Sequence, residues 1–323
     1  MTRFIYYTFI LLSSLMLLSG CKKELNDIRD NDGYPEAQVS ELDKWLAAEF
    51  EIPYNIKVVY RQMPFKDPIA LNNRSVELSR VKPVMKAYKE LWIDYLEKLF
   101  GKDFIRRYHP KEIRLYGAPN FDDRLVEDMD TPGLGTQIMP LYNVNVFDCT
   151  RSEAVYRLMR EATFCFTKNM LELRPVDLRE FSEYNIVKYN KWTENELQGE
   201  YSDRSDLMAS FGYFTKAAQS GPVVDFAETM SLLLCQLPKN VNGLMKIDEY
   251  ETPPPYKLVL QKKVAFIDKY LLENFGIKRL SDLSRVLPRM ILQYPEKCMK
   301  GTSDNLVAVS YTHLRAHETV LDL

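Results

Sequence analysis

Strand-like segments occur only in the first half of the chain, and helical segments fill the second half. Three short segments dense in β-branched and apolar residues predict strands, whereas apolar residues at spacings of three and four predict helices. Early strands followed by late helices favour an α+β domain in which a small sheet precedes a mostly helical part. The predicted strands are 56–60, 112–117 and 136–147, and the predicted helices are about 40–50, 83–100, 152–170, 177–188, 204–218, 223–236, 257–275 and 281–293.

Three residues indicate where helices begin and end. Ser40 is a plausible N-cap for the first helix because its hydroxyl can accept a hydrogen bond from a free backbone N–H. Pro83 is placed at the start of the second helix, where its missing N–H costs little. Gly101 predicts the end of that helix.

The first twenty residues are typical of a cleaved export signal. An apolar run over 4–18 is too short for a comfortable membrane span of roughly 20 residues. It ends in Leu-Ser-Gly-Cys at 18–21, which is similar to the lipobox of bacterial lipoproteins. We therefore expect cleavage before Cys21 and a lipid anchor on that cysteine. The polar residues of 21–39 predict a flexible stalk between the lipid and a domain at 40–300.

The other end of the chain, 309–323, is predicted to be a non-native tail. From Ser310 onward the sequence resembles a translated sequencing adapter. Two histidines one helical turn apart can share a metal ion, so His313 and His317, with Glu318, would otherwise suggest a metal site. We exclude them from the functional interpretation.

Composition limits the classes of function that the body can have. Apolar residues make up 46% of the chain and aromatic residues 12%, which is enough for a substantial core. The formal net charge of −2 provides no basic surface for nucleic acid, so nucleic-acid binding is not expected. No second apolar stretch reaches the length of a membrane span.

Four cysteines follow Cys21 and lack the paired spacing of metal sites. Export permits disulfides, but the apolar helical surroundings of Cys165 and Cys235 favour buried free thiols. We expect free thiols at all four positions, which are Cys149, Cys165, Cys235 and Cys298.

Several short segments occur in a characteristic order from Leu42 to about Pro295. They are Pro53–Val58, Val84–Met85, Leu91–Asp94, Leu141–Asn145, Ser202–Asp203, Phe211–Gly212 and Asp225–Glu228. In order and spacing they resemble zinc metallopeptidase lipoproteins associated with outer-membrane substrate importers. The resemblance implies a zincin-like α+β fold and an ancestral zinc-dependent hydrolysis of peptides or amides.

The resemblance also implies a metal motif on the helix at 152–170, and there the sequence departs from the family. The family motif H-E-x-x-H places two zinc-binding imidazoles one turn apart, with a general-base glutamate beside the first. Here the aligned residues are Arg160, Glu161 and Phe164. The base position Glu161 is kept, but neither arginine nor phenylalanine can replace a histidine ligand. We expect no zinc, although zinc is the family's cofactor.

The implied third ligand maps to Glu228, with Asp225 as a second-shell residue or an alternative ligand. A buried carboxylate without a cation is costly, so we expect Arg160 to pair with Glu228 or Glu161 where zinc once lay. A simpler interpretation stays open: the charged residues are solvated helix charges and Phe164 is a core aromatic.

These observations predict a lipid-anchored envelope protein, on the outer membrane, with a decayed zinc site. It would act beside an importer complex and hold a peptide or glycan ligand. Two alternatives remain: an active zinc-dependent hydrolase whose metal site lies elsewhere, and a purely structural surface lipoprotein. Outside the tail the chain has one histidine, His109, which is predicted to lie in a polar turn without a partner.

Overall fold

The computed structural model of the protein describes residues 40–61, 73–120, 135–190, 205–236, 255–278 and 283–300. The predicted signal peptide, Cys21, the stalk and the tail lie outside these residues. None of the described helices is both long enough and apolar enough to span a membrane.

The chain divides into two compact units, Met1–Lys44 and Trp45–Leu323. In the first unit the N–H of Asp43 donates to Oγ of Ser40 at 3.2 Å, so the predicted N-cap is confirmed. The second unit contains the sheet and nearly all of the helices. The helices are α1 Glu41–Leu46, α2 Ile52–Tyr54, α3 Leu78–Tyr88, α4 Asp94–Phe100, α5 Lys102–Tyr108, α6 Ser152–Leu173, α7 Arg179–Glu183, α8 Ser205–Ser210, α9 Pro222–Cys235, α10 Pro255–Phe275 and α11 Leu287–Lys300.

Three short strands form a parallel sheet, so the α+β prediction is confirmed. They are β1 Lys57–Val59, β2 Glu112–Leu115 and β3 Ile138–Leu141, in the order β1-β2-β3. Ile113 is paired with Met139 and both are fully buried. Parallel strands need long crossovers, and helices α3 to α5 lie between β1 and β2.

Helix α6 is the central helix of the second unit. Its apolar residues recur at helical spacing, and it packs against α9, α11 and β3. The edge of the Phe166 ring meets the Trp92 ring at a centroid distance of 5.3 Å, which ties α6 to the segment between α3 and α4. This packing fixes the side chains of α6 against α9, the helix that carries the predicted third ligand.

Several predicted boundaries were wrong, among them the end of the helix predicted over 204–218, which stops at Ser210, and one helix was missed. Helix α3 begins at Leu78 because buried Val81 extends its apolar stripe by a turn, so Pro83 lies inside the helix. The third strand ends at Leu141 because Asn143 adopts a left-handed conformation and a 3₁₀ turn follows. Helix α5 was not predicted; it starts after Gly101, which ends α4 as expected.

The thiol prediction was half right. Cys165 and Cys235 are free and buried, as expected. Cys149 and Cys298 instead form a disulfide that joins the segment before α6 to the last turn of α11. Sequence spacing could not reveal this pair because 149 positions separate its members.

Candidate functional site: two ion pairs on helix α9

Helices α6 and α9 bring Arg160 and Glu228 together. One guanidinium nitrogen of Arg160, Nη2, donates to Oε2 of Glu228 at 2.6 Å, and Nη1 donates to the Glu228 backbone oxygen at 3.3 Å. The two residues are 8% and 1% exposed, so the solvated-charge interpretation was wrong for both. Of the two partners expected for Arg160, the structure therefore places Glu228 in a direct ion pair.

The ion pair neutralises the charge of Glu228 but does not satisfy both of its carboxylate oxygens. Burial alone would lower the pKa of Arg160, but attraction to the Glu228 carboxylate raises it above its ordinary value. The second carboxylate oxygen, Oε1 of Glu228, is buried and has no hydrogen-bond partner within the described part of the chain. Glu228 thus has a neutralising cation but an incomplete set of hydrogen-bond donors.

Glu161, at the predicted base position, contacts a different element. Its Oε2 accepts a hydrogen bond at 3.0 Å from the backbone N–H of Tyr142, the residue after β3. Glu161 is 4% exposed, and the Tyr142 ring stacks on that of Tyr116 with 5.0 Å between centroids. The carboxylate therefore joins α6 to the end of the sheet, and its ancestral catalytic role stays a prediction.

Phe164 is buried where the second histidine would lie, and it behaves as a core aromatic. Its ring is 1% exposed, with Nζ of Lys168 5.7 Å from the centroid. A phenyl ring supplies no lone pair, and an arginine does not release its proton to bind metal. Within the described ranges no group of three His, Cys, Asp or Glu side chains could hold a metal ion. The residues at the predicted zinc position therefore do not fit zinc.

Asp225, the predicted second-shell residue, belongs to a separate ion pair. Nζ of Lys263 donates to Oδ2 of Asp225 at 2.6 Å, and both side chains are fully buried. The same oxygen accepts from the Tyr189 hydroxyl at 2.8 Å and from Nδ2 of Asn185 at 3.3 Å. The hydroxyl of Thr229 donates to Oδ1 at 3.3 Å, so both carboxylate oxygens have partners.

Sequence reasoning missed Lys263, although a signal was present. Lys263 lies on the buried stripe of α10 that also contains Leu260, Ile267 and Tyr270. A lysine on an apolar helix face needs a buried anion or must lose its proton. That spacing predicts a partner, but only the fold identifies it as Asp225.

His109 was also misinterpreted, because it is fully buried and has partners. The Tyr88 hydroxyl donates to its Nε2, and its Nδ1 lies 2.6 Å from the Pro110 carbonyl oxygen. This arrangement fits a neutral ring with the proton on Nδ1. Burial lowers the pKa of His109 to about 4.

Comparison with known proteins agrees with the resemblance inferred from the sequence. The model of a family described as "Putative zinc-binding metallo-peptidase" matches residues 35–279, well over half of the chain. A crystal structure described as a putative zinc-binding metallo-peptidase from Bacteroides caccae superposes with a TM-score of 0.59 at 20% identity. The match covers 83% of this chain and 96% of that one, and at this identity it establishes the fold alone. No curated protein matches the chain.

Proposed function

The chain belongs to this zinc-binding metallo-peptidase family, and we propose that it is a member in which a buried ion pair has replaced the metal. The single observation that carries the proposal is the Arg160–Glu228 pair between α6 and α9. In this interpretation the zincin-like framework is retained for binding, and hydrolysis is lost.

Charge balance supports the replacement. A carboxylate buried as completely as Glu228 requires a nearby positive charge. A zinc ion would supply that charge in a metalloenzyme, and here the guanidinium of Arg160 supplies it at 2.6 Å. Because arginine stays protonated, it also repels a divalent cation from the same position. In this proposal Arg160 replaces zinc as the charge that neutralises Glu228, and the Lewis acid that zinc would supply is lost.

The hydrogen bonding of Glu161, at the base position, supports the loss of hydrolysis. A general base in a metallopeptidase acts on a water molecule that the metal has made acidic. Glu161 keeps the base identity, but its Oε2 is bound to the Tyr142 backbone. Without a metal to activate water, Glu161 has no nucleophile to deprotonate. Its carboxylate then serves to hold α6 against the end of β3.

We place the protein in the cell envelope, anchored to the outer membrane through lipid on Cys21 beside a substrate importer. The Cys149–Cys298 disulfide supports export, because disulfides persist in oxidising compartments. The proposed ligand is a peptide or glycan. Both the anchor and the ligand are proposals that depend on the sequence rather than on the described residues.

Zinc analysis of the purified full-length protein tests the loss of metal. We expect no stoichiometric zinc and no cleavage of a peptide library, and zinc that a chelator removes together with activity would contradict the proposal. It would favour the alternative of an active hydrolase with a metal site elsewhere. A protein that lacks both zinc and any peptide or glycan ligand would favour the structural lipoprotein.

Restoring the histidines tests the ancestry of the site. The double variant Arg160→His, Phe164→His should bind one zinc ion, because Glu228 is then free to act as third ligand. The matched control is Glu153→His, Arg157→His, which places a histidine pair with the same spacing on the exposed side of α6. If both double variants bind zinc equally weakly, the Glu228 position is not an ancestral metal site.

A further inference from the structure

Lys263 and Asp225 form a fully buried ion pair that the proposed function does not use. Nζ of Lys263 lies 2.6 Å from Oδ2 of Asp225, and both side chains are fully inaccessible to solvent. Asp225 lies on α9 and Lys263 lies on α10, 38 positions later in the chain. A fixed amine against a fixed carboxyl group has a very high effective concentration, so a slow bimolecular reaction becomes an intramolecular one.

Aromatic rings surround the amine and keep water away from it. The rings of Tyr213 and Phe181 lie 4.7 Å and 5.0 Å from Nζ of Lys263, measured to their centroids. The Phe226 ring, next to Asp225 in sequence, packs on Phe181 at 5.4 Å. Exclusion of water matters because water released by a condensation would otherwise reverse it by mass action.

The hydrogen bonds to Asp225 distinguish its two oxygens. Among the described residues, Oδ1 accepts from the Thr229 hydroxyl at 3.3 Å, a donor that can stabilise negative charge on a carbonyl oxygen. Oδ2 accepts from Tyr189 at 2.8 Å and from Asn185 at 3.3 Å. Donors concentrated on one oxygen favour its departure as water when the carboxyl carbon is attacked.

The protonation of the pair is consistent with reaction. Burial raises the pKa of Asp225 and lowers the pKa of Lys263, each against the opposing effect of its partner. Both shifts favour transfer of the proton from the ammonium to the carboxylate, which gives a neutral amine beside a neutral acid. An amine with a free lone pair is a nucleophile, and a neutral carboxyl group is an electrophile.

We infer that Lys263 and Asp225 condense to an intramolecular amide bond. Nζ of Lys263 attacks Cγ of Asp225, the Cγ–Oδ2 bond breaks, and Oδ2 leaves as water with one proton from the carboxyl group and one from the amine. No oxidant or other reactant is required. The product is a covalent link between α9 and α10 inside the core.

The Arg160–Glu228 pair provides an internal control on the same helix. Its cation lies at the same 2.6 Å from a buried carboxylate oxygen. A guanidinium does not release its proton in a protein and so offers no nucleophilic lone pair. The condensation is therefore specific to the lysine pair.

Peptide mass spectrometry of the purified full-length protein tests the inference directly. Trypsin should leave residues 217–239 joined to residues 263–269, lighter by one water than the two peptides together and uncleaved after Lys263. Fragmentation should place the link between Asp225 and Lys263. Separate unmodified peptides, in protein kept folded for days, would overturn the inference. Loss of water from the Asp225 peptide without the joined peptide would indicate a succinimide and would overturn it as well.

A matched variant confirms the assignment. Lys263→Arg keeps the positive charge and the hydrogen bond to Asp225 but removes the nucleophilic amine. The joined peptide should disappear from this variant, and its persistence would show that another amine had reacted. The measurement on the unaltered protein decides the inference even if the variant does not fold.

Discussion

The two ion pairs on helix α9 lie one turn apart and neutralise buried charge in different ways. Arg160 holds Glu228 with a permanent charge and leaves one carboxylate oxygen without a partner. Lys263 holds Asp225 together with donors from three other residues, and both members can become neutral by exchanging a proton. A pair that can lose its charge tolerates burial, whereas a pair with a permanent charge depends wholly on its partner.

The largest expected effect comes from removing the charge of Glu228. Glu228→Gln keeps the shape of the side chain but leaves the Arg160 guanidinium buried without a counter-ion. We expect the free energy of unfolding to fall by about 4 kcal/mol, as for other broken buried ion pairs. Urea unfolding at pH 7 measures this free energy from the midpoint and the slope of the unfolding transition. An effect below that of Asp225→Asn would contradict the comparison.

A pH titration extends the comparison to His109, a buried base whose partners among the described residues are Tyr88 and the Pro110 carbonyl. The unfolded chain takes up a proton near pH 6.5, but the folded protein does so only near pH 4. The unfolded state therefore binds more protons in this window, and stability falls as the pH falls. The shift corresponds to a loss of about 3 kcal/mol between these limits.

The control for this titration is His109→Gln, measured against the unaltered protein at each pH. The difference in slope between pH 6.5 and pH 4 isolates the histidine from the carboxylates that titrate in the same range. Parallel curves for the two proteins would show that His109 is protonated in the folded state.

A smaller effect is expected at the lysine pair. Asp225→Asn removes the anion, but Lys263 can respond by losing its proton, and the one amide oxygen still accepts from either the Tyr189 or the Thr229 hydroxyl. Measured against protein in which the two side chains are not yet joined, the cost should be about 2 kcal/mol, roughly that of a weakened buried hydrogen-bond network. The same urea titration measures it. A loss as large as that of Glu228→Gln would show that proton exchange does not relieve the lysine.

The smallest effect should follow from replacing the arginine pair as a unit. Arg160→Met together with Glu228→Leu removes both charges and the partnerless oxygen, so stability should change by about 1 kcal/mol or less. The corresponding double variant Asp225→Leu, Lys263→Met should cost more, because it leaves the buried Asn185 amide without its Asp225 acceptor. Thermal unfolding of the two double variants, side by side, measures both losses of stability. A larger loss in the arginine-pair variant would contradict the comparison.

Local sequence patterns predicted the helices that carry the site but not their partners. The apolar spacing of α6 and α9 was sufficient to place Arg160 and Glu228 on buried helices, and the family pattern connected them. The pairing of Lys263 with Asp225 and of Cys149 with Cys298 depends on which helices pack together. Contacts between residues far apart in the chain leave no periodic signal in either segment.

Errors within elements have local physical causes. The third strand was predicted too long because Val144 and Val146 have high strand propensity, whereas Asn143 turns the backbone into a left-handed conformation. His109 was placed in a polar turn because a proline follows it. The hydroxyl that satisfies the ring comes from Tyr88, 21 positions earlier, on α3.

The disulfide has a further consequence for how the chain is connected. Cys149 and Cys298 close a covalent ring that contains α6, α9 and α10, and with them both ion pairs. A protease that cuts the chain once anywhere between the two cysteines opens the ring without dividing the molecule. The two pieces of such a cut stay attached until a reductant acts, and a cut between residues 225 and 263 stays joined even then if the proposed amide bond has formed.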